Sequence, residues 1–156
     1  MKTPADIYLA APFFNAGERS TNAALLSELE AAGLAVFYPA RDGILLRELI
    51  EAGSSYAAAA RQVWQCDRRA IADCRCLVAV LDGRTPDEGV AVEVGLAAGF
   101  GRSILGYSTE ERTCFSFGVH PMLSAPLDAV FVDAKELTAA AVALVDSIAT
   151  SKDPCA

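Results

Sequence analysis

The sequence predicts an α/β fold, a doubly wound five-stranded parallel sheet with helices on both faces. Two observations carry that expectation. Five short apolar runs alternate with helix-patterned segments along the chain, the order of βα units rather than of hairpins. Alanine supplies 30 of the 156 residues, which suits helices packed closely on a sheet. The length fits one domain of about 150 residues. Residues 1–150 are therefore read as a single domain and 151–156 as a frayed tail.

The first strand is Ile7-Tyr8-Leu9-Ala10-Ala11, stopped by Pro12, a run apolar enough for burial on both faces. Residues 15–19 read as a polar loop. Ser20 or Thr21 then caps a helix carrying Leu25, Leu26, Leu29 and Ala32 and ended by Gly33. Leu34-Ala35-Val36-Phe37-Tyr38 is the second strand, closed by Pro39. Residues 41–53 read as a loop with one amphipathic turn, and 55–72 as a helix. Cys76-Leu77-Val78-Ala79-Val80-Leu81 is the clearest central strand, and Asp82-Gly83 turns out of it. Residues 87–100 form a helix ended by Gly99 and Gly101, and 103–107 a fourth strand. The stretch 108–127 has little regular pattern. A fifth strand at 129–132 and a closing helix at 134–150 complete the chain. Ligands of such folds sit beyond the C-terminal ends of the strands. That rule points to Pro12-Phe13-Phe14, to 82–89 and to the loop after Tyr107.

Composition removes several function classes. Thirteen Lys+Arg against twenty Asp+Glu leave a net charge of −7, so the basic footprint of a nucleic-acid binder is missing. The apolar run at 7–14 is too short and wrongly flanked for a signal peptide or membrane span, which suggests a cytoplasmic protein. Cys66, Cys74, Cys76, Cys114 and Cys155 lack C-x-x-C spacing and read as reduced, buried thiols rather than metal ligands. His120 is the only histidine, and neither G-x-x-x-x-G-K-[ST] nor G-x-G-x-x-G occurs. Carboxylates are the catalytic groups left in quantity.

The strongest local signal is Asp87-Glu88-Gly89-Val90-Ala91-Val92-Glu93-Val94-Gly95, which follows a buried strand and opens a helix. Helical side chains lean toward the N-terminus, so Glu93 should overhang Gly89 near the positive end of the dipole. There it should stay ionised and approachable, as a nucleophile requires. The plainer alternative is an acid that complements the dipole, with Asp87 as the cap. Ala60, Val63, Trp64, Asp67 and Ile71 fall on one helical stripe. An Asp67 buried there would have its pKa raised, as suits a general acid. Otherwise it pairs with Arg61 or Arg68. Tyr8 is either a core phenol or a hydrogen-bond donor to a neighbouring carboxylate. His120, held extended by Pro121, is either a surface residue or aimed outside its own core.

Together these segments resemble the nucleoside 2-deoxyribosyltransferase family. The likeness runs from Ile7-Tyr8-Leu9-Ala10-Ala11-Pro12-Phe13-Phe14 through Val63-Trp64-Gln65-Cys66-Asp67 with Ile71 to Asp87-x-Gly89-x-x-x-Glu93-x-Gly95. It continues over 101–107 and reaches Met122. The resemblance implies a flavodoxin-like fold and a ping-pong transfer of 2-deoxyribose between nucleobases, with no metal or organic cofactor. Glu93 would attack C1′, Asp67 would protonate the departing base, and Tyr8 would orient Glu93. Asp87 beside Gly89 would bind the 5′-hydroxyl, and Phe13 and Phe14 would wall the base pocket. Met122 matches a methionine that a neighbouring subunit lends in the family, which implies a homo-oligomer. His120 stands where the family commonly has Asn.

A related branch hydrolyses nucleoside 5′-monophosphates and tends to carry a small hydroxyl residue at the position of Asp87. Two negative charges ~4 Å apart cost on the order of 4 kcal/mol at an effective dielectric of 20, so Asp87 favours an unphosphorylated nucleoside. The alternatives are hydrolysis of a 2′-deoxynucleoside or its 5′-monophosphate and, in another class, a non-catalytic nucleoside-binding module.

Overall fold

The computed structural model describes residues 4–83, 86–109 and 120–151. In chain order the elements are β1 (Ile7–Ala10), α1 (Ala16–Ala31), β2 (Val36–Phe37), α2 (Pro39–Asp42), α3 (Leu46–Glu51) and α4 (Tyr56–Asp73). Then follow β3 (Cys76–Val80), α5 (Glu88–Gly99), β4 (Ser103–Tyr107), α6 (Pro121–Ser124), β5 (Ala129–Phe131) and α7 (Ala134–Ser151). All strand pairs are parallel, in the order β2-β1-β3-β4-β5. This is the flavodoxin-like, doubly wound arrangement that the alternating pattern predicts.

Strand alternation divides the core in two. Ile7, Leu9, Val78, Val80 and Leu105 face α1 and α7, where Leu25, Leu29, Leu137 and Ala141 meet them. Tyr8, Ala10, Leu77, Ala79 and Ile104 face the other way, against Ile71 of α4 and Val90, Val94 and Ala97 of α5. Each large aliphatic side chain taken fully out of water contributes about 1.5–3 kcal/mol. The split also has a functional effect. It commits Tyr8 to the face that α4 and α5 cover.

Several boundaries differ from the sequence expectation. α1 begins at Ala16 rather than after Ser20 or Thr21, because Asn15 caps it. The Asn15 side chain accepts from the Glu18 amide at 3.0 Å, and Glu18 accepts from the Asn15 amide at 3.1 Å, a reciprocal capping box. β2 shrinks to two residues. Tyr38 leads into α2, which starts at Pro39, and Arg41 of α2 donates to the Val36 carbonyl at 2.9 Å. Residues 41–53, expected to be a loop with one amphipathic turn, instead hold the end of α2 and the whole of α3. α6 is likewise an unforeseen turn of helix, and α7 runs through Ser151.

The turn out of β3 is as expected, with Gly83 at φ +102°, a backbone conformation that suits glycine. Cys74 and Cys76 are buried free thiols, pushed up to about 11 and about 12 by burial and therefore unreactive. Cys66 is only half-buried, a departure from expectation. Cys114 and Cys155 lie outside the described residues. Among the described residues no helix is long and apolar enough to cross a membrane.

Candidate active site

The strand order reverses direction beside β1, so a crevice opens where the C-terminal ends of β1 and β3 diverge. α5 enters it from above. Its N-cap is Asp87, whose Oδ1 accepts from the amides of Gly89 at 2.8 Å and Val90 at 3.1 Å. A Cβ on Gly89 would lie 2.9 Å from that oxygen, so a side chain there would displace the cap. One turn further on comes Glu93, which lines the same cavities as this glycine. The Tyr8 hydroxyl donates to Glu93 Oε1 at 2.6 Å, linking β1 to α5 across 85 positions of sequence.

Tyr8 is itself fully buried, and its ring stacks on Phe37 of β2 at 5.6 Å. Burial, Glu93 and Asp67 push its pKa far above the ordinary phenol value, so it remains a proton donor. Glu93 departs from the expectation that the helix dipole keeps it ionised. Burial pushes it up to about 8, opposed by the Tyr8 hydrogen bond and assisted by the charges of Asp67 and Asp87. Withdrawal from water outweighs the favourable dipole at this site.

Asp67 comes from α4. Burial pushes its pKa up to about 6, in the direction the sequence stripe predicts. Its Oδ1 is buried without a hydrogen-bond partner, and no ion pair to Arg61 or Arg68 forms. Arg68 instead lies against the rings of Trp64 and Phe100, at 5.5 and 5.4 Å. The stripe is not a wholly buried face, however. Ile71 is buried, whereas Trp64 is 50 % exposed. Around Asp67 the stripe lines open space rather than core.

Asp67, Gly89 and Glu93 line two adjoining cavities of about 430 and 390 Å³. The first also takes in Asp87, Phe13 and Phe14. The two phenylalanines stack at 5.2 Å, and Phe14 is 71 % exposed. A larger cavity of about 620 Å³ lies between β2 and α4, but it contains neither Asp67 nor Glu93. The size and the mixture of apolar wall with few polar groups in the first cavity suit a small organic ligand.

Seven of the nine site residues expected from sequence thus meet in one crevice: Tyr8, Phe13, Phe14, Asp67, Asp87, Gly89 and Glu93. His120 and Met122 line neither cavity. His120 caps α6, its Nδ1 accepting from the Met122 amide at 3.2 Å, so the ring serves its own turn. Met122 is 82 % exposed. Sequence reasoning missed Ile44, Leu45, Leu46 and Arg47, which bring α3 to the cavity wall. The apolar run Ile44-Leu45-Leu46 within an apparent loop was the available signal.

A doubly wound sheet with two burial-perturbed carboxyls beside a cavity at its switch point is the kind of place where such folds hold small-molecule sites. The nucleoside 2-deoxyribosyltransferase family model matches residues 7–146. The chain belongs to that family, whose chemistry acts on the N-glycosidic bonds of nucleosides.

Solved structures agree. The chain is similar to a 2-deoxyribosyltransferase from the psychrotolerant Bacillus psychrosaccharolyticus, at 25 % identity and TM-score 0.71 over 85 % of this chain and 89 % of that one. A conserved protein from Enterococcus faecalis V583 shares the fold at 20 % identity and TM-score 0.73, covering 88 % and 96 %. So does the CMP N-glycosidase of Clostridium botulinum, at 19 % identity and TM-score 0.54, covering 86 % and 96 %. A comparison with curated protein sequences gave no match.

Proposed function

We propose that the protein cleaves the N-glycosidic bond of 2′-deoxynucleosides and transfers the deoxyribose to another nucleobase through a covalent ester on Glu93. The observation that carries this reading is the 2.6 Å bond from Tyr8 to Glu93, in the crevice that also holds the unpartnered Asp67 oxygen. The bond occupies Oε1 and leaves the other carboxylate oxygen to attack C1′.

In the first half-reaction that oxygen bonds to C1′ while the C1′–N bond breaks. The base takes the electron pair, and Asp67 delivers its proton to the departing nitrogen. In the second, a nitrogen of the incoming base attacks C1′, Asp67 accepts its proton, and the ester oxygen returns to Glu93. Each displacement inverts C1′, so the transfer retains configuration. The transition state is oxocarbenium-like. A 2′-hydroxyl withdraws electrons from that centre, so the deoxy sugar reacts more readily. The growing positive charge at C1′ also favours ionised Glu93 against the cost of its burial.

Asp87 caps α5 through Oδ1, while Oδ2 has no bond to a described residue and is available to the 5′-hydroxyl. Phe13 and Phe14 offer a stacking wall tolerant of base identity. Trp64, Val92 and Met122 are exposed at 50, 56 and 82 %. This supports a homo-oligomer in which a neighbouring subunit's Met122 loop completes the site.

Chromatography after incubation with thymidine or deoxyinosine, with and without excess adenine, tests the reading. New deoxyadenosine is the expected result. Free base released equally in both mixtures would make the protein a hydrolase. Binding without turnover of deoxynucleosides or their 5′-monophosphates would make it a nucleoside-binding module.

A further inference from the structure

The Phe13–Phe14 wall sits on a loop with no regular structure of its own, yet side chains of α1 hold its backbone at four consecutive residues. Glu18 Oε2 accepts from the amides of Phe14 at 2.7 Å and Asn15 at 3.1 Å. Arg19 donates to the Phe13 carbonyl at 3.2 Å, and Asn22 donates to the Pro12 carbonyl at 2.7 Å. Glu18 is half-buried and Arg19 exposed, but Asn22 is 1 % exposed. A polar side chain buried that deeply is costly unless bonded.

Asn22 spends its second amide hydrogen on the Tyr38 hydroxyl, at 3.0 Å. Tyr38 follows β2 as the N-cap residue of α2, and its ring meets Phe13 edge-on at 6.4 Å and 87°. Phe13 in turn stacks on Phe14. A continuous chain of contacts therefore runs from the buried Asn22 through Tyr38 to both aromatic walls of the cavity. Pro39, the residue after Tyr38, lines the same cavity.

We infer that Asn22 and Tyr38 are positioning residues for base binding: they fix the Phe13–Phe14 wall against which the substrate's nucleobase stacks. This rests on the proposed reading of the cavity as a nucleoside site. Neither residue touches the reacting atoms, so their loss acts on base affinity and leaves the carboxyl chemistry in place. Tyr38→Phe keeps the ring and removes the acceptor of the Asn22 amide.

The test is steady-state kinetics and amide hydrogen exchange on Tyr38→Phe and Arg19→Ala, beside Val145→Ala. That control loosens the same core cluster at α7, away from the cavity. For Tyr38→Phe the KM for the incoming base should rise about three- to tenfold with kcat changing less than about twofold, the size of one weakened buried hydrogen bond. The amides of residues 13–15 should exchange faster, and Arg19→Ala should move both readouts less and in the same direction. The inference is overturned if Tyr38→Phe leaves KM and exchange unaltered. It is equally overturned if Val145→Ala reproduces both changes. Absence of any turnover in the unmutated protein would defeat the functional reading instead, and the exchange comparison alone would then decide whether the clamp exists.

Discussion

Glu93 and Asp67 are both pushed up by withdrawal from water, to about 8 and about 6, so the pair holds one proton at neutral pH. By these values the proton rests mainly on Glu93, so the reactive arrangement, with Glu93 ionised and Asp67 protonated, is the minor form of the singly protonated pair. In the proposed reaction no nucleophile exists below about 6, where both are protonated, and no acid proton remains above about 8, where both are ionised. The predicted pH profile of kcat/KM is therefore a bell centred near neutrality, read from initial rates across pH. A profile rising without limit into the alkaline range would remove Asp67 as the acid.

The same burial bears on stability. Glu93 binds its proton more tightly when folded than at its ordinary value of 4.5, so its contribution is fully present below pH 4.5 and is lost as pH rises to about 8. Glu93→Gln removes this penalty. The variant should gain on the order of 1–3 kcal/mol over the unmutated protein at pH 8. The gain in thermal midpoint should vanish near pH 4.5. Turnover should be abolished while nucleoside binding persists, which calorimetry would detect. A variant neither stabilised at pH 8 nor able to bind would mean that Glu93 is only a structural acid.

At the scale of the element, α5 combines two tasks in its first turn. Asp87 caps the helix with one oxygen and, in the proposed reaction, meets the sugar with the other. Serine is also a good cap, whereas loss of a cap costs about 1 kcal/mol. Asp87→Ser should thus keep the thermal midpoint within a few degrees while removing the charge that repels phosphate. Competition assays should show 5′-monophosphates gaining on nucleosides; an unchanged ratio would place the 5′ end of the sugar elsewhere.

Elements also differ in how readable they are. β1, β3 and β4 announce themselves because strands buried on both faces are continuous apolar runs. α2 and α3, with four and six residues, are too short to display a helical period. The true start of α1 was readable, since Asn15 and Glu18 spell a capping box three residues apart, but the polar composition of 15–19 suggested a loop.

Across the whole molecule, the site is assembled from segments far apart in sequence: Tyr8 from β1, Asp67 from α4 and Glu93 from α5. Part of it was legible because the D-x-G-x-x-x-E spacing puts Asp87 at the cap of α5 and Gly89 and Glu93 about one turn apart behind it. Protonation was legible only for Asp67. The burial that dominates Glu93 depends on β1 lying beneath α5, which no local pattern encodes. For the same reason Arg47 and Leu46 went unrecognised, and His120 serves its own helix rather than the crevice.

In the proposed reaction Glu93 carries the sugar between two bases. The most direct measurement is peptide mass spectrometry of the protein acid-quenched during turnover of thymidine. One deoxyribosyl group should be found on the peptide containing Glu93, and it should be lost when excess adenine is supplied before the quench. Sustained transfer with that peptide never modified, or with the sugar on another residue, would contradict that role.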